Sequence, residues 1–204
     1  MPERVIVYID GFNLYFGLKS KGWKRYYWLN QQKLAESILK LNQSLVITKY
    51  FTSRISDSPN KVKRQGVYIE ALETLNDFKI FYGQFLSNPR TCKKCGNIES
   101  VPNEKMTDVN IAVEMLSDAY EDKFDSALLI SADSDLTGPI KTILRLFPEK
   151  RVIVAFPPDR FSFALKEIAS ISFIVGRKKL ADSVFPDKVT KKDGYVLKRP
   201  KSWE

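Results

Sequence analysis

The sequence predicts an α/β protein with a mostly parallel sheet covered by helices on both faces. Apolar runs rich in β-branched residues, such as VIVYI at 5–9 and VIVAF at 152–156, alternate with stretches of helical periodicity. Two of these runs end in acid: VIVYID closes on Asp10, and ALLISADSD continues into Asp133 and Asp135. At 204 residues the chain has the length of a single domain.

Residues 4–10 are apolar and β-branched enough for a buried strand. Apolar residues at 34, 35, 38, 39 and 41 fit a helix over 34–41. SLVITKYFT at 44–52 reads as the second strand, and the Ser-Pro turn at 56–60 ends it. A helix over 61–77 is expected, with Val62, Ile69, Leu72 and Leu75 on its inner side. Phe78–Tyr82 is the third strand. Residues 84–104 break this rhythm and read as an inserted loop containing Cys92 and Cys95. The alternation then resumes: helix 105–121, strand 125–131, helix 136–147, strand 151–156, helix 160–169, strand 171–175 and a short helix at 178–183. Residues 1–183 are thus expected to form the domain, and the basic segment 184–204 a solvated tail.

Composition narrows the function classes. No apolar run approaches the ~18–20 residues of a membrane span, and MPERVIVYID enters a strand with no secretory signature. Two cysteines cannot build a disulfide scaffold, so a cytoplasmic protein is expected. The net charge of +9 favours a polyanionic partner. The chain has no histidine, which removes imidazole as a general base or metal ligand. Neither a phosphate-cradling GxxxxGK[ST] nor a GxGxxG follows the first strand. Phe12 stands where an aspartyl-phosphate phosphatase would carry its second aspartate.

In open parallel sheets, ligands bind beyond the carboxyl ends of the strands, where strand order reverses. With an order 3-2-1-4-5, strands 5–10 and 125–131 flank that point, and Asp10, Asp133 and Asp135 converge. Asp108 opens the helix that follows KMT. Each residue has an ordinary structural role too: Asp10 before Gly11 as a turn residue, Asp133 or Asp135 as a helix cap, and Asp108 as a first-turn acid. Together they form a plausible ligand set for Mg²⁺ or Mn²⁺, which take oxygen donors and bridge carboxylate to phosphate. Asn13, one turn past Asp10, is a candidate polar helper, and Ser131 could touch the same place. Glu114 lies six positions past Asp108, about 120° around the helix, and is expected to face solvent.

The segments IDGFNLYFGL, KMTDVNIAVEML and LLISADSDLTGPI resemble the three signature blocks of the NYN domain family, in particular its LabA/DUF88-like branch, which is related to PIN-domain nucleases. The resemblance covers most of residues 4–175. It implies a PIN-like three-layer α/β/α sandwich and metal-dependent ribonuclease activity. It maps the acidic site onto Asp10, Asp108, Asp133 and Asp135, with Asn13 beside them.

Basic residues recur at 19–25, 61–64, 90–94 and 188–201. The first block, SKGWKRYYW, interleaves cations with rings, a pattern that suits single-stranded RNA but equally a loop whose rings pack inward. Arg54, Arg64 and Lys105 are candidate phosphate contacts. Cys92-Lys-Lys-Cys95 has the spacing of half a zinc site, and no second pair completes one within a single chain. A reduced pair, a zinc shared between two chains of a homodimer and a redox pair remain open readings. The expected function is a metal-dependent endoribonuclease. The alternative is an RNA-binding regulatory adaptor with little turnover.

Overall fold

The computed structural model describes residues 1–91 and 95–204, and their side chains apart from 85–91 and 98–105. Six parallel strands form the central sheet: β1 (Glu3–Asp10), β2 (Gln43–Thr52), β3 (Phe78–Tyr82), β6 (Ser126–Ile130), β7 (Arg151–Phe156) and β8 (Ile171–Ile174). Their order is β3-β2-β1-β6-β7-β8, so the chain reverses direction across the sheet between β1 and β6. Asp10 stands opposite Phe51 on one side of β1, and Ile9 stands opposite Ile130 on the other.

Both faces are covered. Val5, Val7 and Ile9 pack with α1 (Gly11–Ser20), α2 (Gln31–Ile38), α3 (Pro59–Leu72) and α7 (Arg177–Asp182), through Leu14, Leu34, Leu72 and Leu180. Ile6 and Tyr8 pack with α4 (Thr107–Tyr120), α5 (Thr137–Leu146) and α6 (Phe163–Ile168), through Ile111, Met115, Ile140, Ile143 and Leu165. The result is a three-layer α/β/α sandwich. Among the described residues, no helix is long and apolar enough to cross a membrane.

One charged cluster sits inside the second layer. Lys49 Nζ donates to Glu114 Oε2 at 2.7 Å and to Asp118 Oδ2 at 2.5 Å, and the Tyr8 hydroxyl donates to the same Asp118 oxygen at 2.7 Å. Lys49 and Asp118 are buried. Isolated charges there would be costly, and pairing makes them tolerable. Glu114 therefore pins α4 to β2 instead of facing solvent as expected.

The sequence reading missed α1. GFNLYFGLKS has two glycines and apolar residues all round, so it shows no helical stripe. Gly11 and Gly17 are there for contact. A Cβ on Gly11 would lie 2.6 Å from the Tyr50 ring, and one on Gly17 would lie 2.4 Å from the Pro158 carbonyl oxygen. The helix expected at 34–41 begins three residues earlier, where the Asn30 side chain accepts from the Lys33 N–H at 2.8 Å. The helix expected to reach 77 ends at Leu72, and Val62 is exposed.

The segment expected as an inserted loop carries an antiparallel pair, β4 (Gln84–Thr91) and β5 (Ile98–Lys105). Its prolines and polar residues hid the alternation. Cys92 lies outside the described residues, and Cys95 is free and exposed. The expected solvated tail folds back. β9 (Lys188–Thr190) and β10 (Val196–Lys198) pair antiparallel, and Phe185, Val189 and Leu197 are buried. Trp203 packs on Trp28, Tyr27 and Tyr68. This covering settles the SKGWKRYYW block: Trp28 and Tyr26 are core residues, so their rings are unavailable for stacking on a ligand.

Candidate metal centre

Asp10 is the last residue of β1 and the N-cap of α1, and only 3% of it is exposed. Its Oδ1 accepts from the Asn13 N–H at 2.9 Å, and its Oδ2 accepts from the Ser131 hydroxyl at 2.9 Å. Capping satisfies an orphan helix donor and places the carboxylate against the positive end of the helix. Ser131, just past β6 and buried, accepts from the Asp133 N–H at 3.0 Å. Asp133 in turn caps a short 3₁₀ turn at Ser134–Leu136, its Oδ1 accepting from the Asp135 N–H at 2.9 Å. Asn13 Oδ1 accepts from the Ala132 N–H at 3.2 Å, which ties α1 to the loop after β6.

Asp108 arrives from the opposite layer, in the first turn of α4. Met106 precedes that turn at φ 76°, a left-handed conformation uncommon for a side-chain-bearing residue. One carboxylate oxygen from each of Asp10, Asp108 and Asp133 lies within 4.8 Å of the others. Three strand and helix ends thus deliver negative charge to one crevice at the switch point.

Unshielded carboxylates this close repel, and a cation relieves the repulsion. The donors are all oxygens and the chain has no histidine, so the set suits a hard divalent ion. Asp10 and Asp133 are pre-oriented by the Ser131 bridge, as ligands of such ions commonly are by their outer partners. Tyr50 is buried near Asp10. Burial, with Asp10 adding, drives its phenol far above the ordinary value of 10, so it stays protonated.

The other candidates fall in different places. Asp135 is exposed and does not join the clustered carboxylates. Arg54 is exposed just past the carboxyl end of β2, its guanidinium 5.1 Å from the Tyr82 ring centroid. Arg64 is half-buried on α3. The Lys105 side chain lies outside the described residues. Ser131 is the residue the sequence reading undervalued. A serine at a strand end is common, and its bond to Asp10 arises only once β1 and β6 are adjacent.

Fold and site together define an α/β/α domain with three aspartates clustered at the switch point of a doubly covered parallel sheet. The chain belongs to the NYN domain family, whose model matches residues 4–176. It is similar to the 6-hydroxy-3-succinoylpyridine 3-monooxygenase HspA of Pseudomonas putida, at 27% identity over 76% of this chain and 60% of that protein. The chain therefore spans about 60% of that relative's length. A protein of unknown function from Vibrio parahaemolyticus has the same fold, with a TM-score of 0.57 and 16% identity over 86% of this chain and 94% of that one.

Proposed function

We propose that this protein is a metal-dependent endoribonuclease that hydrolyses RNA phosphodiester bonds, acting in the cytoplasm with Mg²⁺ or Mn²⁺. The observation that carries the reading is the convergence of Asp10, Asp108 and Asp133 within 4.8 Å. NYN membership supports the nuclease class and the RNA substrate.

Asp10, Asp108 and Asp133 would hold the ion. When bound, such an ion neutralises charge on the phosphate and makes water more acidic, work that no histidine is present to do. Asp10 is held rigid by the Asn13 N–H and Ser131, so its oxygens need little reorganisation to act. Asn13 is a positioning residue, keeping the two aspartate-bearing strand ends in register through Ala132. Asp135, at the exposed rim beside Asp133, adds negative charge to the outer shell of the site. Arg54, Arg64 and Lys105 are proposed to meet phosphates flanking the cleaved bond; Arg54 lies just past the carboxyl end of β2, on the edge of the sheet where Asp10 ends β1.

The test uses purified full-length protein and labelled single-stranded RNA. Cleavage is expected with Mn²⁺ or Mg²⁺ and none with EDTA. Asp10→Asn and Asp133→Asn should each reduce cleavage by roughly 1,000-fold, matching the several kcal/mol a metal contributes to phosphoryl chemistry. Full activity in either variant would remove the assignment. Tight RNA binding with no cleavage under any ion would instead identify a regulatory adaptor.

A further inference from the structure

A second surface lies beside the acidic crevice. It is built from rings the chain leaves uncovered. Phe16 on α1 is 41% exposed, and Phe161 and Phe163 are 44% and 75% exposed. They form a connected track. Phe12 stacks on Phe16 at 6.3 Å, Tyr15 meets Phe16 edge-on at 5.4 Å, and Phe161 meets Phe163 edge-on at 4.9 Å. Arg160 links the two halves, its guanidinium 5.8 Å from the Phe16 centroid, and Lys19 sits 5.7 Å from the same ring.

The track is rigidly mounted. Gly17 lets α1 close onto Pro157 and Pro158, where any side chain would collide. Asp159 bonds to Lys21 at 2.8 Å and accepts from the Ser20 hydroxyl, which locks the loop after β7 onto α1. The track also reaches both sides of the centre. Phe12 is two residues past Asp10, and α6, which begins at Phe163, packs against the 3₁₀ turn capped by Asp133.

Exposed rings interleaved with cations match one kind of occupant. Unpaired bases stack on ring faces while guanidinium and ammonium groups meet the intervening phosphates. A duplex keeps its bases stacked on each other and presents no free face. Resting on the reading of the acidic crevice as an RNA site, we infer that Phe16, Phe161 and Phe163, with Arg160, form a base-stacking platform that grips unpaired nucleotides flanking the cleaved bond and selects single strands over duplexes. A purely apolar protein partner would have no use for Arg160 and Lys19 laid over the Phe16 ring.

The experiment measures binding, not cleavage, in EDTA at fixed salt. The probes are a fluorescein-labelled oligouridylate of about 12 nucleotides, the same backbone with abasic sugars, and an RNA duplex of equal length. Phe16→Ala and Phe163→Ala should each weaken oligouridylate binding about tenfold, with circular dichroism unchanged, while Phe163→Tyr should restore it. The abasic strand should bind wild-type protein as weakly as oligouridylate binds the alanine variants. Duplex binding and the salt dependence should not move, because phosphate contacts are untouched. Equal affinity of wild type and variants, equal affinity for the abasic strand, or failure of the wild-type protein to bind the oligouridylate would each overturn the platform. So would self-association of the protein that Phe163→Ala abolishes at unchanged RNA affinity. Asp10→Asn should bind the oligouridylate at least as tightly as wild type, so loss of the nuclease reading and loss of the platform give different results.

Discussion

Asp10 does two jobs that conflict. As a cap and a Ser131 acceptor it holds α1 and β6 together, and as one of three close carboxylates it repels its neighbours. The conflict can be measured. Asp108→Asn keeps the hydrogen bonds of Ser131 to Asp10 and of the Asp133 N–H to Ser131, and removes one of the three carboxylates. Adding Mn²⁺ should raise the melting temperature of wild type, by about 2.7 kcal/mol of stabilisation at a hundredfold excess over Kd, and should do so far less in the variant. Equal Mn²⁺ shifts in both proteins, read by differential scanning fluorimetry, would remove Asp108 from the ligand set. Asp10 and Asp133 were legible in the chain because each ends an apolar run. Ser131 was legible as a neighbour of the site but not as a bridge, because that role comes from a hydroxyl placed between residues 121 and two positions away.

At the scale of elements, close approach decides more than propensity. Gly17 lies where α1 touches the loop after β7, and its substituent would meet a backbone oxygen that cannot swing aside. Gly17→Ala should therefore destabilise by about 1–3 kcal/mol despite alanine's better helix propensity, measurable by urea denaturation. A stabilised Gly17→Ala protein would show that α1 does not seat there. The start of the sheet has a different lock. Asp125 accepts from the Arg4 N–H and from Arg4 Nη2, each at 2.7 Å, and Arg4's side chain, then its backbone, holds this carboxyl below its ordinary value of 3.8. A depressed folded pKa means that the stabilisation is complete above the unfolded value and fades as pH falls through the folded one. Both side chains are over 40% exposed, so solvent screens the pair and its contribution is small. Asp125→Asn should thus lower the melting temperature by a few degrees at most at pH 7, and the difference should fade as pH falls through the folded value, which lies below 3.8. A difference that persists in acid would assign the effect to packing.

Across the whole molecule, residues 184–204 complete the first layer. Trp28 donates its indole N–H to the Pro186 carbonyl at 2.9 Å and packs at a tilt against Phe185 and Trp203. A chain ended after Ser183 should lose more than about 5 kcal/mol, since several large side chains would face water, and should show lost cooperativity in thermal melts. An unchanged melt would return this segment to the status of a solvated tail. The same covering divides the rings of the first layer. Trp28 and Tyr26 are sealed, whereas Phe16 on the neighbouring helix remains exposed beside Arg160.

Local chemistry along the chain was enough to foresee the alternation of strands and helices, the carboxylates at strand ends and the crevice they would share if strand order reversed beside the first strand. These follow from side-chain periodicity and from the rule that parallel sheets bind ligands beyond their carboxyl ends. The folded molecule alone settled which acids meet, that Asp135 stays at the rim, that α1 exists, and which aromatic rings face water. Those outcomes depend on contacts between residues far apart in the chain, such as Gly17 with Pro158, Ser131 with Asp10 and Trp28 with Trp203. Residue type at a single position carries no record of the neighbour that folding will bring to it.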